Sequence, residues 1–275
     1  MILPFDPAAR GRTHPQILTP LRRAWVHDLD GVHHTYQGIP DIYAFYAQIK
    51  YQTLREDLPH LSREDIRRIG LESYATTGDG LIGFVATALE SGLAPEKEDM
   101  FREGLFRLFH KEKFEWVSQH ASGILEPCQR TIDLMDRVCG QGVRMGLLTQ
   151  GCFPNWAQPI LEARGTLPFF DRHACLDFHS VGYETKKHST RPLEAAMKFL
   201  RATPEEVVFI EDSIDNLITA KSLSPAILCT LISPVPLKPE YKPYVDLHMP
   251  DLVTFLEYAH TVYCPKPPRL ENVPT

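Results

Sequence analysis

The chain has 275 residues and a mass of 31.3 kDa, enough for one substantial core plus an insertion. Hydrophobic residues make up 43% and charged residues 23%, a globular balance that excludes a disordered or membrane-embedded chain. Twenty-nine basic against 35 acidic residues give a net charge of −6, so the basic footprint of a protein that tracks nucleic-acid phosphates is missing and no nucleic-acid polymer is expected as a partner.

The start, MILPFDPAARGR, carries an acidic residue and prolines where a signal peptide needs a basic start and an apolar stretch, so the cytoplasm is the expected compartment. No run approaches the roughly 20 apolar residues of a bilayer span, and no membrane partner is expected. The cysteines at 128, 139, 152, 175, 229 and 264 form no CxxC pair and no zinc spacing, and are read as buried thiols.

The first strand signal is RAWVHDL, residues 23 to 29, ending in acidic residues and Gly31. A helical stretch follows. Ile42, Phe45, Tyr46 and Ile49 repeat at helical spacing, as do Leu81, Phe84, Val85, Ala88 and Leu89. Between them Ser62 and Asp65 form a capping box ahead of Ile66 and Ile69, TTGDG at 76 to 80 ends that helix, and a further helix is predicted from Lys97 to His110. From Pro127 the pattern alternates: helix 128–140, strand 143–149, helix 154–164, strand 172–177, helix 191–201, strand 206–211, helix 214–223, strand 226–232. Five prolines from 234 to 250 mark an irregular connection before a last helix at 251–260. This predicts an α/β fold, a Rossmann-like parallel sheet core (1–37 and 121–262) with an inserted all-helical cap (38–120) and a Pro-rich tail (263–275).

Polar residues gather at the carboxyl ends of the strands: Asp28 and Asp30 after the first, Thr149 after the second, Asp212 after the fourth. In parallel sheets those ends form the ligand crevice. Carboxylates collected there repel one another unless a cation joins them, and hard oxygen ligands favour Mg²⁺ over zinc. Each residue also has a bland reading: a solvated turn for Asp28 and Asp30, a helix cap for Asp212, strand propensity for Thr149.

Taken in chain order, these residues resemble the haloacid dehalogenase-like phosphohydrolases. Asp28-Leu29-Asp30-Gly31-Val32 matches the family's DxDx(T/V) motif, Leu147-Leu148-Thr149 the second motif, Lys187 best fits the third, and Glu211-Asp212-Ser213 the acidic fourth. The resemblance covers about 21–32 and 126–232, with the helical stretch in the place of the family's cap. It implies an Asp28 nucleophile forming an aspartyl phosphate, with Asp30 as general acid and base. It places Mg²⁺ on Asp28, Asp30 and Asp212, with Glu211 and Asp215 assisting, and phosphate held by Thr149, Gln150 and Lys187. Lys186 adjoins Lys187, and which of them binds phosphate stays open. His33-His34 reads as a solvent-exposed pair beyond the acidic motif.

Looser similarity through Ser73-Tyr74, Thr77-Gly78, Leu81 to Gly83, Asp177-Phe178 and Asn216-Leu217 points to the pyrimidine 5′-nucleotidase branch. That implies a small phosphorylated metabolite, a pyrimidine nucleoside 5′-monophosphate, as substrate. Tyr36, Tyr74, Phe114 and Trp116 are candidates to stack a base, although their helical context also reads as core packing. A sugar-phosphate phosphatase or a β-phosphoglucomutase-like phosphotransferase shares the same motifs. Asp30 argues against a haloacid dehalogenase, which lacks the second acid. A receiver-like or noncatalytic phospho-binding module shares Asp, Thr and Lys at strand ends, yet a receiver orders its acids differently and lacks the insertion.

Overall fold

The RAWVHDL run folds as β1 (Ala24–His27), buried along its whole length. The computed structural model describes residues 18–34, 48, 50–55 and 58–264, the side chains of 113, 114 and 116–124 excepted. The expected stripe at Ile42, Phe45, Tyr46 and Ile49, together with Tyr36, the side chains of Phe114 and Trp116, and residues 265–275, lies outside that description.

Five further strands follow: β2 (Arg144–Leu148), β3 (Phe170–Leu176), β4 (Val207–Glu211), β5 (Leu228–Ile232) and β6 (Leu247–Met249). They form one six-stranded parallel sheet in the order β3-β2-β1-β4-β5-β6. The chain builds outward from β1 to β3, then returns to the other side of β1 to lay down β4, so β1 lies at the topological switch point where such sheets open a crevice. His27 is in register with Leu147 of β2 and Ile210 of β4. Asp28, Thr149 and Glu211 therefore arrive together at one edge.

The cap contains α1 (Arg63–Thr77), α2 (Ile82–Glu90) and α3 (Glu98–Ile124). The capping box forms as predicted: Ser62 Oγ accepts from Asp65 N–H and the Asp65 carboxylate accepts from Ser62 N–H. Gly78 ends α1 in the left-handed region at φ 82°. Leu54, Ile66, Phe84, Leu105, Phe106 and Phe109 make the cap's own core, into which Phe178 inserts from the loop after β3. The helix expected to end near His110 runs on to Ile124, because residues 105–122 contain neither Gly nor Pro and are rich in helix formers.

The sheet is covered on both faces. Alternate residues diverge in β1: Trp25 packs with α4 (Gln129–Gly140), α5 (Gln158–Arg164) and α8 (Leu252–Tyr263), whereas Ala24 and Val26 pack with α6 (Arg191–Phe199) and α7 (Ile214–Leu223). The stretch read as an irregular connection contains β6, three residues long and closely followed by Pro250, too short to carry a period of its own. All six cysteines are free, but only Cys152 and Cys229 are fully buried; Cys128 sits at the start of α4, half-buried.

The expected exposed His33-His34 pair is corrected: the two residues keep only 5% and 4% of their surface, because the turn after β1 folds back under the sheet edge. His33 Nε2 lies 3.1 Å from His27 Nδ1, and both rings meet Phe170 edge-on. His27 Nε2 has no hydrogen-bond partner. An unpaired acceptor lone pair costs less than an unpaired N–H, so Nδ1 of His27 carries the hydrogen and donates to His33.

Burial pushes His27 down to about 3, and burial with the neighbouring rings holds His33 well below the ordinary value of 6.5. Below about pH 6.5 the unfolded chain binds protons that these folded imidazoles refuse, so their contribution to stability falls as pH falls. At pH 5 His27 alone is expected to cost about 2 kcal/mol relative to pH 7. Urea unfolding of the wild type and of His27→Leu at the two pH values checks this. The variant's stability should drop by about 2 kcal/mol less, and identical pH dependence would contradict the assignment.

Candidate active site

Asp28 is the first residue past β1, anchored by its own N–H donating to Ile210 O at 2.8 Å. Its Oδ1 accepts from the Lys186 ammonium at 2.6 Å. The same Nζ donates to Glu211 Oε2 at 2.8 Å and to Leu148 O at 3.2 Å. Lys186 is 94% covered, so a buried ammonium sits between the ends of β1, β2 and β4. Glu211 uses its second oxygen, Oε1, to accept the backbone N–H groups of Asp212 and Ser213, both at 3.1 Å, which fixes the turn into α7.

Asp28, Glu211 and Asp212 bring carboxylate oxygens within 4.8 Å of one another. Gly31 makes this approach feasible. It has φ +79°, and a Cβ there would stand 2.0 Å from Asp212 Oδ2. Only glycine satisfies both demands.

The electrostatics follow from burial. Burial and the charges of Glu211 and Asp30 raise Asp28 well above the usual carboxylate range, with Lys186 opposing them. Burial also opposes ionisation of Glu211, but the Lys186 charge and hydrogen bond overturn it and hold Glu211 below its ordinary value. Asp212 is pushed up to about 9 by burial and by the charges of Glu211 and Asp28. Lys186 is held charged by its two carboxylates against the pull of burial. Fully ionised, the three carboxylates against one ammonium would carry two uncompensated negative charges, the charge of one divalent cation. The donor set is all oxygen, which suits a hard cation.

The other expected residues are distributed as follows. Asp30 lines the same cavity, with its Oδ1 bound by Trp156 and His34, and stands outside the three-carboxylate group. Thr149 is buried at the end of β2, its Oγ1 accepting from Gly151 N–H at 3.0 Å, and Gln150 and Gly151 form the cavity wall beside it. Gln150 Nε2 donates to Gly78 O of the cap at 3.0 Å.

Lys187 does not reach Asp28. It donates to Ala75 O at 2.7 Å and pairs with Asp215 at 2.8 Å, satisfying a carbonyl at the end of α1 while Lys186 turns inward. The turn at Thr185, which accepts from the N–H groups of His188 and Ser189, points the two lysines in opposite directions.

A cavity of about 620 Å³ lies over these carboxylates, between the sheet edge and the cap. From the cap, α1 contributes Arg67, Leu71 and Tyr74, one helical face at i, i+4, i+7, and Lys50, Asp79 and Phe109 are among the residues that line the same side. Tyr74, also read as core packing, is 66% exposed. Its hydroxyl is nonetheless pushed up to about 12, by partial desolvation in the cleft and by the facing charges of Asp212, Asp30, Asp28 and Glu211. Sequence reasoning did not single out Trp156, Arg67 or Lys50. The first follows a Pro in a π-helical turn (Phe153–Ala157), and neither cation belongs to a motif.

No curated protein matches the sequence. Solved structures share the fold at low identity. A β-phosphoglucomutase from Clostridium difficile is 16% identical with a TM-score of 0.56, over 88% of this chain and 96% of that one. A HAD phosphatase from Thermococcus onnurineus is 18% identical with a TM-score of 0.53, over 86% and 96%. CbbY from Rhodobacter sphaeroides, solved in complex with phosphate, is 17% identical with a TM-score of 0.50, over 84% and 95%. Residues 23–223 match the haloacid dehalogenase-like hydrolase family over their whole span, from β1 to the end of α7, and the chain belongs to that family.

Proposed function

We propose that the protein is a Mg²⁺-dependent phosphomonoester hydrolase that works through an aspartyl phosphate on Asp28. The observation that carries this reading is the Asp28–Lys186–Glu211 cluster at the switch point, opening on the cavity. Lys186 opposes the burial that raises Asp28 and so favours the carboxylate form that a nucleophile needs. When bound by Asp28, Asp212 and the Asp30 backbone carbonyl, Mg²⁺ supplies positive charge that offsets the phosphate's own repulsion of an anionic nucleophile.

In the proposed reaction an Asp28 oxygen bonds to phosphorus, the ester P–O bond breaks, and Asp30 gives its proton to the departing oxygen. Water then attacks phosphorus, Asp30 takes the proton back, and the Asp28–P bond breaks. Lys186, together with N–H groups at the turn after Thr149, offsets phosphoryl charge.

The substrate we propose is a pyrimidine nucleoside 5′-monophosphate. The support is a cavity of about 620 Å³ with Leu71, Tyr74 and Phe109 on its cap side, a size and lining that suit a planar base held away from the phosphorus. A second reading, a sugar-phosphate phosphatase or phosphotransferase, is favoured by Arg67 and Lys50, which line the same side and suit another anionic group. A phosphotransferase returns the phosphate to sugar, and product analysis separates it from a hydrolase.

The first tests concern the reaction itself. An aryl phosphate should be hydrolysed in Mg²⁺ and spared in excess EDTA. Asp28→Asn should lower kcat by about a thousandfold or more, since an amide is a poor nucleophile. Retention of about a tenth of activity, a change worth only about 1.4 kcal/mol, would remove Asp28 from that role.

Second, with Asp212 at about 9 and Asp28 also raised in the metal-free protein, Mg²⁺ binding at pH 7 should expel about one proton or more, and affinity should weaken as pH falls. Titration calorimetry in two buffers of different ionisation enthalpy reads this directly. Equal heats in both would contradict it.

Third, UMP or CMP should exceed an aryl phosphate in kcat/KM by about tenfold or more and AMP should be poorer, while Tyr74→Ala should raise KM for the pyrimidine nucleotide and leave the aryl phosphate nearly unchanged. Equal efficiency on UMP, AMP and a hexose phosphate would refute the nucleotidase reading and leave the chemistry at Asp28 standing.

A further inference from the structure

One oxygen of Asp30 is claimed by two buried side chains from different parts of the chain. Trp156 Nε1–H donates to Asp30 Oδ1 at 2.9 Å, and His34 Nε2 stands 2.7 Å from the same atom. An indole N–H only donates and a carboxylate oxygen only accepts, so Nε2 of His34 carries the hydrogen in this arrangement. The two rings also meet edge to face, with centroids 6.1 Å apart at 72°, so the three side chains form one packed unit.

Both partners are fixed by their surroundings. His34 is held four residues beyond Asp30 by a tight turn in which Gly31 N–H donates to His34 O at 2.8 Å, and its side chain is fully covered. Trp156 comes from a π-helical turn, Phe153–Ala157, placed between β2 and α5. Such turns insert an extra residue and re-aim side chains, and they recur at functional sites. Gly151 leaves the space for the indole, since a Cβ there would lie 2.6 Å from Trp156 Cδ1. The Asp30 side chain keeps 25% exposure and lines the cavity.

We infer that His34 and Trp156 are positioning residues for Asp30: together they pin Oδ1, so that the proton Asp30 exchanges with the leaving group and with water rides on Oδ2. Neither lines the cavity. Their effect is confined to steps in which Asp30 transfers a proton, and that gives the pair a signature that general packing lacks. This rests on the phosphohydrolase reading above.

The test compares two esters on the same protein samples. Benzyl phosphate has a poor leaving group that needs the proton, whereas dinitrophenyl phosphate has one that departs without it. Trp156→Phe keeps an aromatic ring in the pocket while removing the N–H donor and part of the indole's volume; His34→Leu removes the second donor, and His34→Gln offers an N–H at a similar reach.

For Trp156→Phe and for His34→Leu, kcat/KM on benzyl phosphate should fall about tenfold or more while that on dinitrophenyl phosphate falls less than about threefold, and His34→Gln should recover most of the benzyl activity. Partial loss of folded protein lowers both esters by one factor and leaves their ratio unchanged, so the ratio survives a weakened fold. If His34→Leu does not fold, Trp156→Phe carries the test alone. A parallel fall on both esters, or no fall on either, would overturn the positioning role while leaving the phosphohydrolase reading intact. A wild-type protein that hydrolyses neither ester would remove that reading, and this inference with it.

Discussion

Lys186 binds the ends of three strands at one point. Its ammonium takes the Asp28 carboxylate from β1, the Leu148 carbonyl from β2 and the Glu211 carboxylate from β4, all inside the protein. Burying these charges is unfavourable, and each is tolerated only because the others are present. Removing one partner of such a set typically costs about 3–5 kcal/mol through the charge left behind. The strand register has to deliver Asp28 and Glu211 to within reach of one nitrogen, and Gly31 has to let the next turn pass against Asp212. Even then the carboxylates outnumber the ammonium, and Asp212 answers in the metal-free protein by holding a proton to about 9. The site is built short of positive charge, a condition that suits a divalent cation.

The loop that supplies Lys186 also holds the cap. Lys187 and His188, the next two residues, reach the carbonyls of Ala75 and Thr76 at the end of α1, and Gln150 reaches Gly78 from the loop after β2. The last carbonyls of a helix have no partner within it, and here the core provides the donors. The face of α1 that carries Arg67, Leu71 and Tyr74 is thereby held over the carboxylates. In the proposed chemistry, binding of the remote part of a substrate and protection of the reacting centre are linked through one short stretch of chain.

Much of this was legible in the sequence because its signals are local or periodic. Doubly covered strands read as apolar runs, Ser62 and Asp65 announced α1, and Asp28, Asp30 and Asp212 stood out as acids after apolar strands. What was not legible depends on three-dimensional aim. Adjacent lysines are equivalent as letters, and only the turn at Thr185 decides that Lys186 points inward. His33 and His34 read as polar residues past a strand, but the turn returns them under the sheet, where His33 meets His27 and His34 meets Asp30. Trp156 approaches Asp30 across 126 positions of sequence, through a π turn that no periodicity announces.

In the proposed chemistry Asp28, whose ionised form Lys186 favours against burial, takes the phosphoryl group onto its own carboxylate. Acid quenching of the protein during turnover of a phosphate-labelled aryl ester, followed by peptide mapping, tests it most directly. Label is expected on the peptide containing Asp28, released by hydroxylamine as an acyl phosphate must be, and none in Asp28→Asn. Turnover with no labelled protein at any quench time, or label on another residue, would contradict it.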